Sequence, residues 1–283
     1  MSALTIVMVG SNEDYGGDFI ARVQRCLDSI FAGINTYGLD ADLIFVDWGT
    51  PPDRRPMIDS IGWSKCSIPA RVITVPKPFI EQIPNPYGIK FLEPWAKSVG
   101  VRRATGAFIL TANADGIYSD PLMACLSRTK LDSQCVYRVN RYDQDEKGSV
   151  YRVQRANGTF APGEPYAGFS RTAAPWKTNM PHFNAAGEFM LMSREAYHAI
   201  KGWPELPYWA HVDSMVLHRA LEYGLKQVVF EEPLYHQDHT RGNHPFMPTW
   251  TDDKPWSVEN TDDWGFRGVE FDTCTIAIKR TIA

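Results

Sequence analysis

The chain has 283 residues, 44% hydrophobic and 22% charged, the make-up of a soluble globular protein with room for a sizeable core in one large domain or two small ones. A net charge of −4 without a compensating basic stripe argues against general nucleic-acid binding. No run of about 18 apolar residues exists, so no membrane span is expected.

Residues 4–9 form a short apolar run closed by Gly10-Ser11-Asn12 and read as a central buried strand. The run lacks a basic leader and so does not read as a signal peptide. Phe19, Ile20, Val23, Cys26, Leu27, Ile30, Phe31 and Ile34 recur at three- and four-residue spacing, one apolar face of a helix closing near Gly38. Residues 43–46 and 71–75 read as strands, and 91–104 as a helix with Gly106 just beyond it. Residues 108–111 are a further strand, ending in the polar cluster Asn113-Ala114-Asp115-Gly116. The alternation β-α-β, then β-α-β, predicts a mainly parallel sheet covered by helices.

From Asn140 to Phe183 charged, Gly and Pro residues dominate, and only 149–154 resembles a strand; an extended hairpin or insertion over the sheet is expected. Order resumes at 187–192, followed by a helix over 193–201 with Ser193 as N-cap and Glu195 in its first turn. A helix over 212–223, a strand at 228–230 and a Pro- and Trp-rich tail complete the chain. The cysteines, Cys26, Cys66, Cys125, Cys135 and Cys274, are odd in number, irregularly spaced and without a Cys-x-x-Cys pair. They suggest a reducing, cytoplasmic setting, with peripheral attachment to a membrane as a variant. Cys26 falls among apolar helical positions and reads as a buried thiol.

Ligands of open α/β sheets bind beyond the carboxyl ends of the strands, which is where Asp115 falls. A carboxylate there can hold a hard cation that neutralises phosphate oxygens, and His236 and His239 follow another strand that could reach the same edge. A zinc-protease reading of His236-x-x-His239 fails, because the segment is not helical and Gln237 stands where the glutamate is required. The turn at Gly10 matches neither the dinucleotide fingerprint nor the phosphate-loop pattern, although its backbone, Ser11 and Asn12 could contact a nucleotide. Asp47 could accept a base N–H and Arg54 could meet a phosphate. Lys97, on the helix entering the Asp115 strand, has two readings, a solvated helix lysine or one that faces the nucleotide. Asp213 is either a first-turn carboxylate favoured by the helix dipole or a general base.

Taken together, four segments resemble the catalytic half of a family 2-type, GT-A-fold glycosyltransferase: Asn184 through Glu195, Gly202-Trp203-Pro204, His211-Val212-Asp213-Ser214, and Tyr235 through His239. Val46-Asp47-Trp48 resembles the uridine-binding segment of that family. Ala96 through Gly106, leading to Asn113-Ala114-Asp115, resembles the segment ending in its Asp-x-Asp motif. The similarity runs from about Leu4 to His239. It implies a Rossmann-like GT-A sheet flanked by helices with an irregular C-terminal tail. As one domain over 1–283, it would comprise a nucleotide-binding half (1–125), an acceptor or catalytic half (126–239), and a lid and tail (240–283).

The resemblance further implies transfer of a sugar from a UDP-linked donor to a hydroxyl acceptor with inversion. The nucleotide would lie over Gly10, Ser11, Asn12, Asp47, Arg54, Lys97, Asn113, Ala114 and Asp115. Mn2+ or Mg2+ would sit on Asp115 with His239 and His236, His239 being favoured as the ligand and His236 as support. Asp213 would be the base, with Gly187, Glu188, His211 and Trp209 toward the substrates. Trp203, Trp209, Trp250 and Trp256 could stack on acceptor sugars, with packing expected for at least half of them. Two positions depart from the family: Asn113 replaces the first aspartate of the motif, and Val212 precedes Asp213 where an acidic pair is frequent. A nucleotidyltransferase, which would need a basic Gly-rich loop after the first strand, and a non-catalytic nucleotide-sugar-binding module are the alternatives.

Overall fold

The computed structural model describes residues 2–145, 147–154, 160–162, 176–178, 187–207, 212–240 and 258–278. In chain order the elements are β1 (Leu4–Gly10), α1 (Phe19–Tyr37), β2 (Ala41–Trp48), α2 (Met57–Ser60), β3 (Ala70–Val75), α3 (Lys77–Ile80), α4 (Glu93–Arg103), β4 (Phe108–Ala112), β5 (Gly116–Tyr118) and α5 (Asp120–Arg128). They continue with β6 (Cys135–Gln144), β7 (Val150–Gln154), β8 (Phe160–Pro162), β9 (Trp176–Thr178), β10 (Phe189–Ser193), α6 (Arg194–Ala199), α7 (Val212–Glu222), β11 (Lys226–Gln237) and β12 (Asp272–Ile276).

Among the described residues, all strands join one sheet whose main path runs β12-β3-β2-β1-β4-β10-β6-β11-β5. β3, β2, β1 and β4 are mutually parallel. β10 runs antiparallel to both β4 and β6, which returns β6 and its parallel partner β11 to the direction of β1. The carboxyl ends of β1, β2, β4, β6 and β11 therefore meet along one edge.

The sheet is buried on both faces, which explains the near-continuous apolar runs of β1 and β2. Leu4, Ile6 and Met8 face α1, whose Val23, Cys26, Leu27, Ile30, Phe31 and Ile34 are buried against them. Val7 and Val9 face the opposite layer, built from α4, α6 and α7. α1 stops at Gly38, which adopts φ 65° and donates its N–H to the Ile34 carbonyl. Ser193 caps α6 as its position predicts, its hydroxyl accepting from the Ala196 N–H, and Ser119 caps α5 through Leu122.

Of the two expectations for the segment from Asn140, its described part has the hairpin: residues 140–144 complete the long strand β6, to which β7 pairs antiparallel, with β8 beside β7. The tail is irregular only in part. Residues 258–271 run without helix or strand, but Asp272–Ile276 becomes β12, the antiparallel neighbour of β3. No helix among the described residues is long and apolar enough to cross a membrane.

Candidate active site

Asp115 lies in the short link between β4 and β5, at the carboxyl edge of the sheet. Backbone pairing fixes what stands beside it. β5 folds back on β11 so that Gly116 is opposite His236, and β6 lies on the other side of β11 with Asp143 opposite the same histidine. Gln237 locks the corner. Its backbone and side-chain N–H groups both donate to the Asp115 carbonyl, its amide also donates to the Arg22 carbonyl, and its oxygen accepts from Arg25 at 2.5 Å. His239 follows two residues past the strand end. The Nε2 atoms of His236 and His239 lie 3.5 and 3.4 Å from Asp115 Oδ2.

This trio fits a cation. One ligand atom from each residue lies within 4.8 Å of the others. The second Asp115 oxygen, Oδ1, is buried with no hydrogen-bond partner among the described residues. Two imidazoles and a carboxylate suit Mn2+-like ions. Burial works against the Asp115 charge, but the two imidazoles outweigh it and hold the carboxyl well below its ordinary range. Burial likewise disfavours imidazolium at His236, yet hydrogen bonds to Asp115 and Asp143 push it up to about 9. Without an ion, Asp115 is thus paired with imidazole N–H groups, and a bound cation would take their place on the carboxylate. Of the two histidines, His239 was the favoured ligand; the structure gives both the same relation to Asp115.

The turn between β1 and α1 covers His239 from above. Asp14, Gly16, Gly17 and Asp18 all have positive φ. A Cβ on Gly16 (φ 72°) would fall 2.6 Å from His239 Nδ1, so only glycine admits the imidazole here. Tyr15 packs edge-on against the same ring at 5.1 Å between centroids. Arg22, buried beneath, donates to the carbonyls of Tyr15 and Gly17. No sequence pattern announced this contact, because residues 16 and 239 are distant in the chain and no short motif spans them.

The expected nucleotide-facing residues divide. Gly10 is buried between Phe19 and Phe45, and Ala114 is buried beside Asp115. The buried Ser11 hydroxyl has no hydrogen-bond partner among the described residues. The Asn12 amide donates to the Arg55 carbonyl and to Ser60, tying two loops together. Asp47 has no exposed surface, and both its oxygens are engaged: Oδ1 accepts from Thr50 at 2.5 Å and Oδ2 from the Met57 N–H at 2.9 Å. Its carboxylate holds the loop after β2, and a base contact would need that loop to open. Burial raises its pKa, and these hydrogen bonds offset only part of the rise. Arg54 is exposed on the same loop. At the end of β2, Glu13, Trp48, Gly49, Lys77, Asn85 and Lys90 line a cavity of about 290 Å3, with Arg54 not among its lining residues.

Asp213 stands in the first turn of α7, partly exposed. Gly187 separates it from the motif: a Cβ there would lie 3.8 Å from Asp213 Oδ2 and 3.9 Å from Asn113 Nδ2. Lys97, wholly buried, donates to Asn113 Oδ1 at 2.7 Å and to the Gly187 carbonyl at 2.9 Å, pairs with Glu93 at 2.5 Å, and lies 4.1 Å from the centre of the Trp203 ring. Trp203 is therefore packing, not an exposed sugar platform. Glu188 is buried in an ion pair with Arg141. His211, Trp209, Trp250 and Trp256 lie outside the described residues.

No protein-family model matches the sequence, and no curated protein matches it. Solved structures match its fold. S. aureus TarS 1–349 aligns with a TM-score of 0.55 at 11% identity, over 84% of this chain and 60% of that one. The same TarS region in complex with UDP-GlcNAc aligns at 0.54 and 12% identity, over 86% and 60%. GalNAc-T7 with UDP, GalNAc and Mn2+ aligns at 0.53 and 13% identity, over 90% and 45%. The chain spans about half to three-fifths of the length of these structures. Its fold is that of the GT-A glycosyltransferases.

Proposed function

We propose that the protein transfers a sugar from a UDP-linked donor to a hydroxyl of a glycan or other acceptor, with inversion. The observation that carries this reading is a carboxylate–imidazole trio at the carboxyl edge of the sheet, with Asn113, two residues before Asp115, facing a separate carboxylate, Asp213, across Gly187. A divalent cation on Asp115, His236 and His239 would neutralise the diphosphate leaving group. The cavity beside Trp48 offers room for the base. Asp213 takes the proton of the acceptor hydroxyl; that oxygen bonds to the anomeric carbon as the bond to the diphosphate oxygen breaks. Gly187, with no side chain, leaves space for the donor sugar between the two groups. The UDP and Mn2+ present in the matched structures support the choice of donor and ion.

The test is release of UDP from a panel of UDP-sugars, with and without Mn2+ and acceptor. Asp213→Asn is expected to lower turnover by about 100-fold or more while UDP affinity stays within about twofold. Near-normal turnover of that variant would remove Asp213 from the mechanism. Failure of every UDP-sugar to bind would remove the donor assignment.

A further inference from the structure

Asp143 carries more partners than any other carboxylate near the site, yet no sequence motif marks it. It is wholly buried. Its Oδ1 lies 3.1 Å from His236 Nδ1 and accepts from Arg141 Nε at 2.7 Å, while Oδ2 accepts from Arg152 Nε at 2.5 Å. The register of β5, β11 and β6 leaves His236 between two carboxylates, with Nδ1 toward Asp143 and Nε2 toward Asp115. Arg141 also comes within 3.2 Å of Nδ1. A guanidinium only donates, so in the tautomer with a proton on Nδ1 its acceptor is Asp143 Oδ1 and not Arg141.

We propose that Asp143 is a positioning residue for the cation. By accepting the Nδ1–H it fixes the tautomer and ring orientation of His236, which leaves the Nε2 lone pair facing Asp115. Arg141 and Arg152 hold the Asp143 carboxylate from two sides, one guanidinium on each oxygen. Carboxylate–histidine–metal relays of this kind orient the ligand and raise its basicity. The inference rests on the reading that Asp115, His236 and His239 bind a divalent cation.

The experiment measures Mn2+ affinity of the full chain by electron paramagnetic resonance of the free ion, for the wild type, Asp143→Ala, Asp143→Asn and Arg152→Ala. Long-range proton–nitrogen spectra of labelled histidines in the Mg2+ form report the His236 tautomer. Asp143→Ala is expected to weaken Mn2+ binding about 10- to 100-fold. Asp143→Asn should recover part of that loss, since its amide oxygen still accepts, and Arg152→Ala should cost less than either. In the wild type His236 should carry its proton on Nδ1. Equal Mn2+ affinity in the wild type and Asp143→Ala overturns the positioning role and leaves the cation site standing. An Nε2–H tautomer in the wild type overturns it without any variant having to fold. A wild type that binds no Mn2+ overturns the cation reading and this inference with it.

Discussion

Asn113 occupies the position where the related motif has a carboxylate, and its neighbours account for the amide. A lysine ammonium only donates, so the Asn113 atom facing Lys97 must be the oxygen, and Nδ2 is left toward Gly187 and Asp213. The motif thus presents a hydrogen-bond donor toward Gly187 rather than a second negative charge. Lys97→Met would leave Asn113 Oδ1 and the Gly187 carbonyl without their donor and Glu93 without its cation. Because Glu93 is one-third exposed, the loss is set mainly by the two oxygens. A destabilisation on the order of 2–4 kcal/mol in urea unfolding is expected, along with loss of turnover. Gly16→Ala tests the other close approach. Its backbone cost should be about 1–2 kcal/mol, and the methyl group must also displace the His239 ring. Mn2+ affinity should fall roughly tenfold, and unchanged affinity would show that His239 can ligate from elsewhere.

At the scale of elements, what could be read from the chain and what could not have the same physical origin. β1, α1, β2 and β4 announce themselves because their apolar residues repeat at the period of a buried strand or a one-sided helix. Asp115 is legible because it ends such a run. β6 is not, since Arg141 and Asp143 break its apolar pattern; both sit within the sheet as ion-paired side chains. β11 shows only its 228–230 portion in sequence. Pairing continues to Gln237 across a register shift between Phe230 and Pro233, and that continuation delivers His236 to the site.

The C-terminal segment is likewise held by contacts no periodicity encodes. Asn260 donates to the carbonyls of Lys201 and Trp203, Arg103 donates to those of Gly265 and Val269, and Glu205 accepts the Gly265 N–H at 2.6 Å. Burial raises the Glu205 carboxyl to about 7, against the opposing pull of that N–H and of Arg102. The folded protein therefore holds this proton to higher pH than the unfolded chain does. Its contribution to stability is full below the ordinary carboxylate range and is lost as pH rises toward 7. Glu205→Gln keeps an acceptor for Gly265 but cannot ionise. Between pH 5 and 8 the wild type should lose on the order of 1–3 kcal/mol more than the variant. Parallel stability–pH curves would mean that Glu205 ionises freely.

For the molecule as a whole, the site joins the two halves expected from the sequence: Asp115 comes from residues 1–125, while Asp213, His236 and His239 come from 126–239. A ligand that touches both halves stabilises the folded chain by linkage, by about 2.7 kcal/mol at 100 times its dissociation constant. For a chain of this size that corresponds to a rise in Tm of roughly 5 °C. If the cation lies between the diphosphate and the Asp115 trio, UDP and Mn2+ should stabilise more together than the sum of their separate effects, because each raises the affinity for the other. Asp115→Ala should abolish that excess. Cys26 and Asn113, which meet through the Asn113 carbonyl at 3.7 Å, should keep the link after β4 in place when the side chain is removed. Additive shifts in the wild type would place the ion away from the nucleotide. An excess that survives Asp115→Ala would move the cation to other ligands, even with the fold and the base cavity unchanged.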